Sequence, residues 1–210
     1  MARARLQQER SRATRLAIIN AAEALWRETG FDSATVEDVC QKAGVAKGAF
    51  YFYFPRKEHL LVMLVFGRLL PREPQLKAAL ESERSTAEVC AEFVAGIGAR
   101  ARRLNPRLVQ RAVEESFGHY REIARLEGGD RSLRWYLEPM FERGLARGDV
   151  NPGWSPQILA GMLAWGTLQE LFLWGEGQTP DRELESNLLQ RSELITSGAQ
   201  GARSVPAGRH

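Results

Sequence analysis

Through the first third of the chain, apolar residues recur at helical spacing. Val36, Val39, Cys40 and Ala43 fall at i, i+3, i+4 and i+7, which makes one narrow stripe on a helix of about two turns. Thr35 precedes the stripe as a good N-cap. Asp38 stands three positions later, where its carboxylate can reach back to the open backbone amides in a capping box. Gly44 suits the left-handed conformation that closes a helix, and Val45 is placed to pack back on the last turn. A second short helix follows, with Phe50 and Phe54 at i, i+4 sharing an inward face. Tyr51, Phe52 and Tyr53 cannot all join them. Consecutive helical residues are about 100° apart, so at least two of the three point outward. Pro55 stops this helix.

The rest of the chain repeats the helical period. Helix one is expected from Ser11 or Thr14 to Thr29, with Ile18, Ala22 and Leu25 on one face and Gly30-Phe31 ending it. A fourth helix is expected from near Arg56, carrying Leu60, Leu61, Leu64 and Val65 and linking to everything downstream, with a break or kink at Pro71 and Pro74. Further helices are expected over 86–104, 106–126, 131–147, 156–175 and 182–197, bounded by Gly- and Pro-containing turns. Strand-period alternation and internal repeats are absent from the sequence. The expected class is all-α.

Two short helices hinged at one glycine are the sequence form of a helix-turn-helix, and the second half carries residues that stability alone would not choose. Lys47 in a first turn opposes the helix dipole, and Gly48 costs roughly 1 kcal/mol against alanine. Contact with DNA accounts for both: lysine reaches phosphates or guanine edges, glycine admits close backbone approach, and helix N-terminal amides bind phosphate. Clustered exposed aromatics mark a contact surface.

The run T-V-E-D-V-C-Q-K-A-G-V-A-K-G-A-F-Y-F-Y-F-P-R-K-E-H-L-L closely resembles the N-terminal DNA-binding domain of TetR-type transcriptional regulators. The resemblance is close over about the first 60 residues and extends to the rest only in length and helical pattern. It implies that Lys47, Gly48, Ala49, Tyr51, Phe52 and Tyr53 face DNA and that Thr35, Tyr51, Tyr53 and Lys57 grip phosphates. Ala46 departs from the family, in which many members place a capping serine; the lost cap is worth on the order of 1 kcal/mol. The implied organisation is a basic arm over 1–11, a helix-turn-helix domain over 12–71, a helical effector-binding and dimerisation domain over 72–198, and a disordered tail over 199–210.

Charge agrees with this placement. The 210-residue chain has a formal net charge of +3, with 29 Lys and Arg against 26 Asp and Glu. Residues 1–57 hold ten of the basic and six of the acidic side chains, so the positive excess lies beside the helix-turn-helix, as an electrostatic DNA footprint requires. Cys40 and Cys90 form neither a metal motif nor a disulfide framework, which points to a reduced, cytoplasmic setting with Cys40 as a small core residue. The N-terminus lacks the apolar core of a signal segment. The most apolar stretch, 158–174, is interrupted by Thr167, Gln169 and Glu170, so no membrane partner is expected.

In the C-terminal part, Ile158, Met162, Trp165 and Phe172 give a broader apolar surface than a half-exposed helix needs, with Gly161, Ala164 and Gly166 allowing close approach of a partner helix. A homodimer is expected, reading a pseudo-palindromic double-stranded operator with paired recognition helices. Phe93, Glu114, Phe117, Tyr120, Tyr136 and Trp165 are the candidates to line a pocket for a small-molecule effector. Glu115 and His119, at i, i+4 beside Glu114 and Glu122, suggest a metal or acid-base cluster, but solvated carboxylates on a helix face are the commoner cause of such spacing. No phosphate loop, nucleophile elbow or zinc-protease signature is present, so no catalytic residue, metal or cofactor is assigned. The implied function is a ligand-responsive repressor. The alternatives are a DNA-binding regulator without an effector and an all-α metal-dependent enzyme.

Overall fold

A computed structural model describes residues 2–118 and 132–201. These form ten helices and no strand: α1 (Ala2–Thr29), α2 (Val36–Ala43), α3 (Lys47–Tyr53), α4 (Lys57–Leu69), α5 (Glu73–Glu81), α6 (Thr86–Ala101), α7 (Pro106–Gly118), α8 (Leu133–Arg147), α9 (Pro156–Gly175) and α10 (Leu184–Gln200). Among them no helix is long and apolar enough to cross a membrane.

The first four helices build a small unit around one apolar centre. Helix α1 begins nine residues or more ahead of its expected start and absorbs the expected arm, because residues 2–10 contain no Gly or Pro and consist largely of good helix formers. It ends at Gly30, whose φ of +85° is left-handed. Ile18 and Ala22 are fully buried, and Leu25 is half-buried. Trp26, which the stripe does not single out, is buried and meets Phe31 edge-on at 4.9 Å between ring centres. Helix α2 opens on the expected capping box: the Asp38 amide donates to Thr35 Oγ1 at 3.2 Å, and the Thr35 amide donates to Asp38 Oδ2 at 2.8 Å. It closes at Gly44 in the left-handed region, with the Val45 amide donating to the Cys40 carbonyl at 3.0 Å.

Helix α4 leaves this unit and enters the next. Leu60, Leu61, Leu64 and Val65 are buried, and the helix packs on α6 and α7 as well as on α1. It stops at Leu69, and residues 73–81 form a separate helix, α5, that the spacing did not predict. Pro74 sits in the first turn of α5, where a missing amide leaves no intrahelical bond unmade, and Leu76 is its buried residue.

Beyond α5 the helices pack α6 on α10, and α9 on α7, α8 and α10. Ile97, Val113, Leu137, Phe141, Leu163 and Leu188 lie at the centre of this second layer. The helix expected over 106–126 is described as far as Gly118, and its continuation lies outside the described residues. Helices α7 and α9 approach so closely that a Cβ on Gly175 would stand 2.5 Å from Gln110 Cβ and 2.8 Å from the Pro106 carbonyl oxygen. Helix α10 runs to Gln200 with Ala199 buried, so residues 199 and 200, expected in the tail, are helical, and residues 202–210 lie outside the described residues. Cys40 and Cys90 are free and buried. Burial pushes the Cys90 thiol up to about 12, which leaves it inert packing at neutral pH.

Candidate nucleic-acid interface

Helix α3 is anchored from beneath and bare on top. Phe50 and Phe54 are buried with ring centres 5.7 Å apart, and they fix the rotation of the seven-residue helix on the core. That rotation turns Lys47, Gly48, Tyr51 and Phe52 outward, with Phe52 78% exposed, while Ala49 and Tyr53 lie at the margin. The face predicted to meet DNA is thus a single surface. Ala46 caps α3 without a side-chain hydrogen bond, so the first-turn amides of α3 receive no side-chain acceptor there. A Cβ added to Gly48 would touch nothing within 4 Å. The fold therefore does not require glycine at this exposed position, and the conformational cost of Gly48 goes with the surface it presents.

The residues expected to grip phosphate divide. Tyr51 turns its ring outward. The Tyr53 hydroxyl donates to Ser11 Oγ of α1 at 2.9 Å. The Thr35 hydroxyl donates to Asp38 Oδ2 at 2.7 Å, completing the cap, and these bonds hold the Asp38 carboxyl below its ordinary range. Lys57 is turned inward. Its Nζ donates to the carbonyls of Phe31 at 2.8 Å and Ala34 at 2.9 Å and lies 4.2 Å from the centre of the Phe31 ring. Thr35 and Lys57 thus take structural roles in place of the open phosphate donors expected of them. Thr35 is satisfied by Asp38 in its own cap, and Lys57 by the α1–α2 loop, whose carbonyls need donors that sequence spacing does not reveal.

The two ends of α4 are tied by charge to different parts of the molecule. Near its C-terminus Arg68 pairs with Glu23 of α1. At its N-terminus Arg56 lies 3.4 Å from Glu115 of α7 and 3.2 Å from Nε2 of the buried His59, and Glu115 also lies 3.5 Å from Arg111. Glu115 is held between two guanidinium groups, an arrangement suited to coupling α4 with α7.

Among the described residues, the side chains expected to line an effector pocket do not come together as one site. Phe93 and Tyr136 are buried neighbours, with ring centres 6.0 Å apart. Phe93 lines a cavity of about 160 Å³ with Leu76, Val89, Arg100 and Met140. Tyr136 lines a larger groove of about 520 Å³ between α1, α4 and the start of α5, with Arg15, Met63, Phe66 and Arg72. Glu114 is half-buried on α7, accepting from Gln110 at 3.0 Å. Phe117 and Trp165 meet at a tilt with ring centres 4.8 Å apart, but on the outside, with Trp165 61% exposed. Tyr120 lies outside the described residues, as do His119 and Glu122. Helical spacing reports the face of a residue but not the neighbour that face meets, and this is why one list of aromatics held two different environments.

The residues expected to face a partner chain divide as well. Ile158, Met162 and Trp165 are exposed along α9, whereas Phe172 is half-buried against the core. Helix α10 adds Leu189 and Leu194, both exposed, which the sequence pattern did not single out. Beneath this surface lies Glu170, 2% exposed. Its Oε1 accepts from Thr179 Oγ1 at 2.9 Å and Asn187 Nδ2 at 2.8 Å, and its Oε2 accepts from Arg191 Nε at 3.1 Å and a second Arg191 nitrogen at 2.8 Å.

A capped α2, a glycine hinge and an outward aromatic-lysine face on α3, joined by α4 to a further helical layer, define a helix-turn-helix DNA-binding protein. Residues 18–64 match the family of bacterial regulatory proteins described as the tetR family. The chain is 32% identical over 104 residues to the HTH-type transcriptional regulator TtgW of Pseudomonas putida, covering 49% of this chain and 78% of that protein. It is 29% identical over 139 residues to the HTH-type transcriptional regulator SrpR of Pseudomonas putida, a match spanning 65% of this chain and 63% of SrpR, less than two thirds of that relative's length. In fold it is similar to Thermus thermophilus FadR, a TetR family transcriptional repressor in complex with lauroyl-CoA, with a TM-score of 0.72, 23% identity, and 93% and 100% of the two chains covered. The chain belongs to the TetR family of transcriptional regulators.

Proposed function

We propose that the protein is a dimeric, ligand-responsive repressor that binds a pseudo-palindromic operator through α3 and is released by a small-molecule effector. The observation that carries this reading is the outward face of α3, where Lys47, Gly48, Tyr51 and Phe52 stand over a buried Phe50/Phe54 base. Apolar side chains on α9 and α10 favour a two-fold association, which would set two copies of α3 in successive major grooves. An effector acts by binding two arrangements of α4 with different affinity, since only a differential interaction shifts an equilibrium. The charge ties at both ends of α4 supply a route for that shift, and the FadR relative, which holds an acyl-CoA, supports the class of behaviour. Unchanged operator affinity at saturating effector would leave a DNA-binding regulator without the ligand switch.

The DNA-facing role of α3 is tested by Tyr51→Ala. Tyr51 rests on Phe50 at 5.5 Å between ring centres but is otherwise turned to solvent. Operator affinity is expected to fall about tenfold or more, as for loss of a positioned contact at a DNA interface, with the melting temperature unchanged within about 2 °C. Fluorescence anisotropy and thermal melting read the two quantities. A collapse in melting temperature would place Tyr51 in the core instead.

A further inference from the structure

The first turn of α2 carries one more acidic residue than its cap uses. Asp38 completes the capping box and supplies negative charge at the helix N-terminus. Glu37 beside it reaches across the glycine turn to α3, where its carboxylate holds the ammonium of Lys47. Both side chains are more than half exposed, and an exposed ion pair contributes at most about 1 kcal/mol, so folding gives little reason for the pairing. Its location gives a better one. Lys47 is the first residue of α3, the end of a recognition helix that meets base edges. A group bonded to Lys47 Nζ therefore reaches the DNA surface with it.

A carboxylate on that surface is repelled by every phosphate, whatever the sequence. Beyond its bond to Lys47 it is compensated only where a base edge donates a hydrogen bond, as the N4 amino group of cytosine does; lysine seeks the opposite pattern, O6 and N7 of guanine. In a G·C pair the guanine acceptors and the cytosine donor lie side by side in the major groove, matching a cation and an anion held side by side. The Lys47 bond keeps the Glu37 carboxyl below its ordinary range, so it is ionised throughout neutral pH and presents acceptors only.

Resting on the reading of α3 as the DNA-contacting helix, we infer that Glu37 and Lys47 together read one G·C pair in each operator half-site. Lys47 takes the guanine edge and Glu37 accepts from cytosine N4. Glu37 also weakens binding to DNA that lacks this donor, so it acts as a specificity filter rather than as an affinity contact.

The experiment selects bound duplexes from a random pool with the full-length protein and with Glu37→Gln, then titrates both proteins against the selected duplex and a scrambled one across a salt series. The wild type is expected to fix a G·C pair once per half-site, and the variant to relax that position. Against scrambled DNA, Glu37→Gln is expected to bind about tenfold more tightly. Its salt slope should steepen by about one unit, because Lys47 is then available to a phosphate. Thermal melting of the variant within about 2 °C of the wild type shows that it is folded. An identical selected motif and an identical ratio of selected to scrambled affinity would overturn the inference, as would a wild-type motif with no fixed G·C pair. Failure of the wild type to select any motif would remove the DNA-binding reading itself, and the inference with it.

Discussion

Replacing Met162 with glutamate is expected to convert the protein from dimer to monomer and to lower operator affinity about a thousandfold or more, toward the level of nonspecific binding. Met162 is 55% exposed and lies between Ile158 and Trp165 on α9, so the single chain has no use for its apolar surface and tolerates a charge there. Each apolar side chain buried between two copies contributes about 1.5–3 kcal/mol, and a two-fold axis counts it twice. Covered by a second copy, a glutamate there would leave water with no partner, at a cost of several kcal/mol. Sedimentation and anisotropy measure the two effects, and the melting temperature of the monomer shows that the fold survives. A variant that stays dimeric and keeps operator affinity would move the interface elsewhere.

Glu170→Ala is expected to destabilise the protein by about 3 kcal/mol, the lower end of the range for breaking a buried pair, because Arg191 retains part of its access to water. In a domain of this size that corresponds to roughly a 10 °C fall in melting temperature. Four hydrogen bonds from three residues converge on this carboxylate, and removing it leaves Thr179, Asn187 and Arg191 short of an acceptor. Because Glu170 lies on α9 and Asn187 and Arg191 on α10, the loss also loosens the two helices that carry the exposed apolar side chains Ile158, Met162, Trp165, Leu189 and Leu194. Glu170→Gln keeps an acceptor for Thr179 and Asn187, so its loss should be smaller. Chemical denaturation with a linear fit decides the matter; equal and negligible losses would show that α9 and α10 are held by apolar packing alone.

The parts of this molecule legible from sequence are those fixed by local rules. Thr35 and Asp38 are three residues apart, Gly44 needs only its own φ, and Phe50 and Phe54 are one turn apart, so α2, its turn and the buried side of α3 could be read. What escaped depends on distant partners. Lys57 finds the carbonyls of Phe31 and Ala34 more than twenty residues away, Arg56 finds Glu115 on α7, and Glu170 is satisfied from α10. Helix α5 escaped for a different reason. It is nine residues long with Leu76 as its buried apolar residue, too little for a stripe, and Pro74 reads as a breaker until its place in the first turn is known. The exposed surface of α9 was visible because that helix is apolar on more sides than one core can cover. Among the described effector candidates, Phe117 and Trp165 meet each other on the outside while Phe93 and Tyr136 pack inside, a division that spacing along a helix does not reveal.

The central claim, sequence-specific binding of DNA by a dimer, is tested most directly by titrating the full-length protein against a selected inverted repeat and its scramble from low to high salt, with mass measurement of the complex. The account predicts two chains per duplex and an affinity ratio of about a thousand or more that persists as salt rises, since base contacts depend on salt less than phosphate contacts do. Equal binding to both duplexes, lost together on adding salt, would contradict it.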